Sequence, residues 1–346
     1  MQKSDLYTAA GWIDADLIVH NPAPFVLAIG GRGIGKSYGV LKMLYEERTP
    51  FIYMRRTQSQ LDAVTVPALS PYNQINADCG YNIISQKMSQ YTIGFYDSVP
   101  DEKGKSIPDG TPFSIGIALS TFASVRGLSA ERYKVLLFDE IIPERHEKKL
   151  KEEELAFSNA LESLNRNREL LGNDPLKVIM LSNSNTLNSR IISALGCTDV
   201  LEQMARKGTV YKVINNDVAI IRYEDSPISE RKAKTALYRV IQNRDFQQMS
   251  LDNEFAAADY EQVKQFPLQE FNMIVSIGDC TICRHKSKNI YYTISGAKAN
   301  TRFTMLPIEK KAFQKAYYYI FGAYQKKRVY FQNATCKIEF EKGFDL

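Results

Sequence analysis

The chain has 346 residues, 44% apolar and 24% charged, with 44 Lys+Arg against 39 Asp+Glu for a formal charge of +5. These fractions are those of an ordinary globular protein, and the length suits two domains or one large one. They exclude an all-apolar membrane bundle, since no apolar run approaches the ~20 residues of a membrane span.

The opening residues, "MQKSDLYTAAGW", lack the basic and apolar regions of a secretory signal. Five scattered cysteines, an odd number, fit a reducing cytoplasm better than a disulfide framework. The charge is uneven. Residues 258–346 carry 14 Lys+Arg against 8 Asp+Glu, whereas residues 1–227 carry 25 against 27. A basic C-terminal third points to a polyanionic partner or to a solvated basic surface.

In chain order, "PFVLAIG" (24–30) predicts a buried parallel strand. After a glycine cluster, Val40, Leu41, Leu44 and Tyr45 form one helical face. "FIYMRR" (51–56) predicts a second buried strand. "YNIISQ" (81–86), "QYTIGFY" (90–96) and "PFSIGIALS" (112–120) predict strands of a more antiparallel kind, with a turn-rich loop over 101–110. "YKVLLFDE" (133–140) and "KVIMLSNS" (177–184) are again buried strands ending in polar residues. The alternation is that of an α/β sheet with helices on both faces.

Near residue 226 the pattern changes. Ser226-Pro227 is a helix start, a capping hydroxyl followed by proline. The helix would place Ala233, Leu237, Val240 and Ile241 on one side, in a linker or small lid subdomain over 228–257. Residues 258–346 read as a small α+β domain. It holds three short strands ("FNMIVSI", "TICRH", "NIYYTIS"), a helix at about 308–324, then "RVYFQ" and "KIEFE".

Residues 30–37 (Gly30, Gly31, Arg32, Gly33, Ile34, Gly35, Lys36 and Ser37) fit the phosphate-binding pattern G-x-x-x-x-G-K-[ST] between a strand and a helix. Glycines let several N–H groups point into one concavity, and the following helix presents its positive end there. Lys36 would neutralise the outer phosphates of ATP, and Ser37 would ligate Mg²⁺. About 100 residues later, four apolar residues run into Asp139 and Glu140. A carboxylate at that strand end suits Mg²⁺, and the next one suits a general base acting on water. Together the two motifs point to a P-loop ATPase of the additional-strand, catalytic-glutamate type. Asn183, at the end of "KVIML", would orient the water or sense the γ-phosphate, or be an ordinary strand-end asparagine. Arg126 and Arg166 are candidate arginine fingers. Arg32 would reach a phosphate or a neighbouring subunit. Arg55 and Arg56 follow the second strand at the same sheet edge, with a nucleotide or DNA role or a salt bridge to a helix.

These stretches in order, "IGGRGIGKSY", "FIYMRR", "VLLFDEII", "NRNRE", "LSNS" and "MSLDNEF" (249–255), resemble the DNA-packaging ATPases of phi-29-type phages. "SVRG" upstream of "FDE" also resembles large terminases. The resemblance covers residues 25 to about 255 and implies a ring-forming motor, a pentamer, docked at the portal vertex of a procapsid in the host bacterial cytoplasm. Such a motor couples ATP hydrolysis to translocation of double-stranded DNA. The implied partners are DNA and the portal (connector) protein, with a packaging RNA as a further candidate. The resemblance carries Lys36, Ser37, Asp139 and Glu140 into the roles above. It makes Arg166 a finger acting on a neighbour's nucleotide and Arg126 a second basic position between subunits, without choosing between them. It also implies three parts: an ATPase domain (1–227), a linker or lid (228–257), and a ribonuclease-H-like C-terminal domain (258–346) that has lost its nuclease chemistry. No carboxylate lies in "FNMIVSI" or "NIYYTIS", and Asp279 falls beyond the first of them. Lys310, Lys311, Lys315, Lys326, Lys327 and Arg328 would form a basic patch. The alternatives are a terminase that also cuts DNA, and a nucleotide-gated DNA-binding module with little turnover.

Two further signals are weaker. Cys280, Cys283 and His285 suggest zinc but supply too few ligands for a structural site. "YYYIFGAY" (317–324) suits base stacking or, more simply, an aromatic helix face in a small core.

Overall fold

The computed structural model describes residues 1–143, 147, 150–183, 189–240 and 262–346. The chain divides into two compact units, Met1–Asn185 with Gly208–Glu254, and Thr186–Lys207 with Phe255–Leu346. The expected "MSLDNEF" stretch, Ile241 and most of the linker lie outside the described residues.

The larger unit is built on one sheet. Its strands are β1 (Phe25–Gly30), β2 (Phe51–Arg55), β3 (Ile83–Lys87), β4 (Thr92–Pro100), β5 (Ser106–Pro108), β6 (Ser114–Ala118), β7 (Val135–Asp139), β8 (Lys177–Asn183), β9 (Tyr211–Ile214) and β10 (Val218–Tyr223). The order is β3-β4-β6-β2-β7-β8-β1-β10-β9, with β5 beside β4. The six central strands, β6 to β10 along that path, are mutually parallel. Antiparallel strands close both edges, β4 with β3 on one side and β9 on the other. The sheet is therefore mixed α/β and mostly parallel. The "PFSIGIALS" strand was expected among antiparallel neighbours, yet β6 is parallel to β2 and antiparallel only to β4. β9 and β10 were not among the expected strands, although the turn residues Asn215, Asn216 and Asp217 join them as a hairpin, with φ of 50° and 64° at the two asparagines.

Central strands buried on both faces read as continuous apolar runs. Alternate residues face opposite layers. Ala28, Tyr53, Leu137, Leu181 and Tyr223 share one core. It includes Val40, Leu41, Leu44 and Tyr45 of the helix Lys36–Glu46, the face expected from the sequence. On the opposite face Phe138 packs on Phe157 of the helix Glu153–Asn165, ring centroids 5.5 Å apart. Ser226 caps the helix Pro227–Ala233, its side chain accepting from the Ile228 amide. The chain then breaks and restarts at Ala236–Val240, leaving Leu237 and Val240 exposed. Ile228 and Tyr238 are buried in their place, so the expected apolar side is not the packed one.

The second unit contains β11 (Phe271–Ile277), β12 (Cys280–His285), β13 (Tyr291–Ser295), β14 (Arg302–Phe303) and β15 (Val329–Phe331), in the order β14-β11-β12-β13-β15. The first three are antiparallel, while β14 runs parallel to β11 and β15 parallel to β13. The expected helix at 308–324 is two, Pro307–Ala316 and Tyr318–Gln325. "KIEFE" lies within the helix Ala334–Phe344, capped by the Asn333 side chain. Its alternation reads as a strand, but Cys336 and Phe340, four apart, share the apolar core. Residues 190–207 pack in this unit: Glu202 Oε2 accepts from the Ala334 amide at 2.9 Å and Asp199 Oδ1 from the Thr335 hydroxyl at 2.8 Å. Among the described residues no helix is long and apolar enough to cross a membrane.

Candidate nucleotide site

Parallel strands bring their carboxyl ends to one edge, where α/β sheets bind ligands. Gly30 stands in register with Asn183, and Asp139 with Leu181. β8 lies between the strand that enters the glycine loop and the strand that ends at Asp139. The loop turns on Gly35, whose φ of 94° suits glycine, and passes straight into the helix at Lys36. At Gly30 a Cβ would come within 2.6 Å of the Tyr223 Cβ, so strand β10 itself demands the missing side chain.

A cavity of about 380 Å³ opens at this edge, lined by Arg32, Gly33, Gly35, Lys36, Ser37, Tyr38, Asp139, Glu140, Ser182 and Asn183. Lys36 is buried and donates to the carbonyls of Gly30 (2.9 Å) and Gly31 (2.6 Å) and to Asn183 Oδ1 (3.2 Å). Burial pushes its ammonium down to about 7; Lys232 and Arg32 add to the effect, and Asp139 and Glu140 oppose it. Ser37 Oγ donates to Asp139 Oδ1 at 2.8 Å. The Tyr53 hydroxyl donates to Asp139 Oδ2 at 3.1 Å.

Glu140 sits just past β7 with φ of 58°, a left-handed conformation uncommon outside glycine. Its side chain remains 48% exposed. The Arg55 guanidinium binds Glu140 Oε2 at 2.5 Å and lies 3.5 Å from Asp139 Oδ2. Partial burial pushes the Glu140 carboxyl above the usual range, and Arg55 pulls it back. Arg55 is itself held protonated: burial opposes its charge, but the hydrogen bond to the Tyr53 oxygen and the carboxylates of Asp139 and Glu140 outweigh that.

The residues present fit a magnesium nucleotide. A hydroxyl and a carboxylate oxygen 2.8 Å apart form part of a hard-oxygen set. A desolvated ammonium whose present partners are neutral oxygens would gain from phosphate charge.

The structure gathers Arg32, Lys36, Ser37, Asp139, Glu140 and Asn183 in one pocket, but not Arg126 or Arg166. Both arginines are exposed, and Arg166 reaches the backbone two residues past Arg126. Arg166 follows the helix Glu153–Asn165 in a left-handed conformation and donates to the Ser163 and Leu128 carbonyls, at 3.1 and 2.9 Å. Arg56 points the other way from Arg55, fully buried against Glu153 and Glu147. That is the salt bridge to a helix expected as one of the alternatives for this pair. Sequence reading missed Tyr53, Lys232 and Trp12. Lys232 donates to the Arg32 carbonyl at 2.5 Å, and Trp12 lies against Gly35. No spacing rule signals them, because they reach the loop or Asp139 only through folding.

In the second unit, Cys280 and Cys283 belong to different apolar clusters, as an odd spacing on one strand dictates. Among the described residues no group of three or more His, Cys, Asp or Glu could hold a metal. Asp279 is 96% exposed beside Lys298. Lys311, Lys315, Lys326, Lys327 and Arg328 are exposed, and Lys310 pairs with Asp345. Ile320 and Ala323 of the "YYYIFGAY" stretch are core residues, while Tyr318 is 72% exposed.

The chain is 26% identical over 262 residues to the DNA packaging protein of Bacillus phage phi29, covering 74% of this chain and 67% of that one. Two solved structures share the fold at 18% identity. The bacteriophage Phi-29 viral genome packaging motor assembly matches with a TM-score of 0.64, over 96% of this chain and 99% of that one. The Phi-28 gp11 DNA packaging motor matches with 0.62, over 98% and 99%. The family model described as Podovirus DNA encapsidation protein (Gp16) matches residues 1–313, so the chain belongs to that family.

Proposed function

We propose that the chain is an ATPase subunit of a phage packaging motor that drives double-stranded DNA into a procapsid at the portal vertex. One observation carries this reading. Lys36, Ser37, Asp139 and Glu140 converge in a single cavity at the carboxyl edge of the sheet. The relative from phi29 is a DNA packaging protein, and the two matched structures are packaging motors. The single strand between β1 and β7 supports the additional-strand P-loop class.

ATP with Mg²⁺, when bound, supplies the phosphoryl group transferred to water. Loop amides 30–37 and Lys36 would hold the phosphates, and Ser37 and Asp139 the metal. Glu140 would take the proton of the attacking water, with Asn183 beside it. While Arg55 binds Glu140, the carboxylate is a weaker base, so loosening that ion pair readies it. Arg126 and Arg166, outside their own pocket, suit a role on a neighbour's nucleotide in a pentameric ring. The domain scheme 1–227, 228–257 and 258–346 is part of this reading, with a ribonuclease-H-like last domain lacking nuclease chemistry. Its exposed lysines suit the portal, DNA or a packaging RNA, and the site of action is the procapsid in the host cytoplasm.

The test is steady-state hydrolysis with DNA and portal present. Glu140→Gln should lose about 10²–10⁴-fold in rate while keeping ATP affinity, and Lys36→Ala should lose affinity. Hydrolysis by Glu140→Gln at the unmodified rate refutes the assignment.

A further inference from the structure

We infer that Arg56 is a positioning residue for the arginines that act on the neighbouring subunit. This rests on the proposed ring, in which Arg126 or Arg166 reaches across to another nucleotide.

Arg56 is 1% exposed at the end of β2. Its Nε donates to Glu153 Oε1 at 2.7 Å and its NH1 to Glu147 Oε2 at 3.1 Å, and Gln60 holds the other Glu147 oxygen at 3.2 Å. Glu153 opens the helix whose next residue beyond its last turn is Arg166. The Arg56 carbonyl accepts from the Ser120 amide at 3.0 Å. Ser120 lies in the short helical segment Leu119–Val125, which delivers Arg126. The frame then closes on itself. Arg166 donates to the Leu128 carbonyl, and Arg168 to those of Ala130 and Tyr133. One guanidinium and its own backbone thus tie both arginine-bearing segments to β2.

The energetics favour a geometric role. Two buried charges are costly, and apolar residues of similar volume often serve stability as well or better. What the ion pair adds is directional, since charge-assisted bonds to two carboxylates fix the guanidinium in orientation and place. Strand alternation sets the preceding side chain, Arg55, on the opposite face, where it holds Glu140. The end of β2 therefore touches the chain's own base on one side and the arginine frame on the other.

The test is complementation between defective subunits. Arg56→Met/Glu153→Leu removes the fully buried pair together; Glu147, 31% exposed, keeps solvent and Gln60. Alone the double variant should hydrolyse ATP slowly, while binding ATP with unchanged affinity. Mixed in equal amounts with Glu140→Gln, whose arginines are intact, it should recover about one quarter of the unmodified rate. Random mixing around a head-to-tail ring places the right donor beside the right site in about one pair in four. Arg166→Ala mixed with Glu140→Gln is the reference and should recover equally. If the reference recovers and the double variant does not, Arg56 serves its own site or the fold, and the inference is overturned. Full hydrolysis by the double variant alone also overturns it. If neither Arg166→Ala nor Arg126→Ala recovers when mixed with Glu140→Gln, the trans-acting reading fails, and the inference with it.

Discussion

Nucleotide binding should take up a proton at Lys36. Its ammonium is buried among neutral carbonyls and pushed down to about 7. At pH 8 the free site then holds about 0.1 proton on this lysine, and triphosphate charge restores it, so about 0.9 proton is bound with the nucleotide. At pH 7 the uptake is about half a proton, and at pH 6 about 0.1. The sign follows: affinity is fullest below pH 7 and falls as pH rises, by about tenfold or ~1.4 kcal/mol at pH 8. The assay is calorimetric titration of MgATP into Glu140→Gln at pH 8, in buffers of different ionisation enthalpy. The slope of apparent heat against buffer enthalpy counts the protons. Lys36→Arg, which stays charged, should show no such uptake. A zero slope at pH 8 in the presence of Lys36 would show that the free site keeps its charge and would refute the reasoning. The same shift predicts that stability without nucleotide rises with pH between about 7 and 9, since the unfolded chain binds the extra proton there.

Phe157→Ala should cost about 3–5 kcal/mol of unfolding free energy, because the ring is fully buried against Phe138 and anchors the helix that leads to Arg166. Denaturant midpoints measure it, and a loss below about 1 kcal/mol would mean that helix is not packed as described. Gly35→Ala should weaken ATP binding by about tenfold with little change in fold, since a φ of 94° strains any side chain there, while the Trp12 ring at 3.4 Å would make only ordinary contact with the added methyl; unchanged affinity would contradict the loop geometry. DNA affinity should fall with salt on a log–log slope of about −0.9 per phosphate neutralised, read by filter binding, and a flat dependence would argue against backbone contact.

The glycine loop and the Asp139-Glu140 pair were legible because their chemistry is local. A phosphate cradle needs glycines, a lysine and a hydroxyl within eight consecutive positions, and a strand of apolar residues must end in its carboxylate. The face of the helix Lys36–Glu46 was legible for the same reason, since a period of 3.6 is written into neighbouring residues. Where local signals were weak, reading failed. "KIEFE" alternates like a strand but folds as a helix, because a capping Asn333 and core contacts outweigh five residues of pattern. Leu237 and Val240 looked like a buried side and are exposed, because the helix breaks between Ala233 and Ala236.

The order of strands, by contrast, is not encoded at any single position. Only the fold inserts β8 between β1 and β7, sets β10 against Gly30, and brings Arg55 onto Glu140 from 85 residues away. The sequence named Arg55 and Arg56 as neighbours with interchangeable roles. Pleating separates them onto opposite faces, so one meets Glu140 and the other the helix that precedes Arg166. By itself the sequence determined which chemical groups exist and the short-range shapes that carry them. Tertiary structure alone decided which groups meet, because burial and long-range pairing select among partners that local chain geometry leaves equivalent.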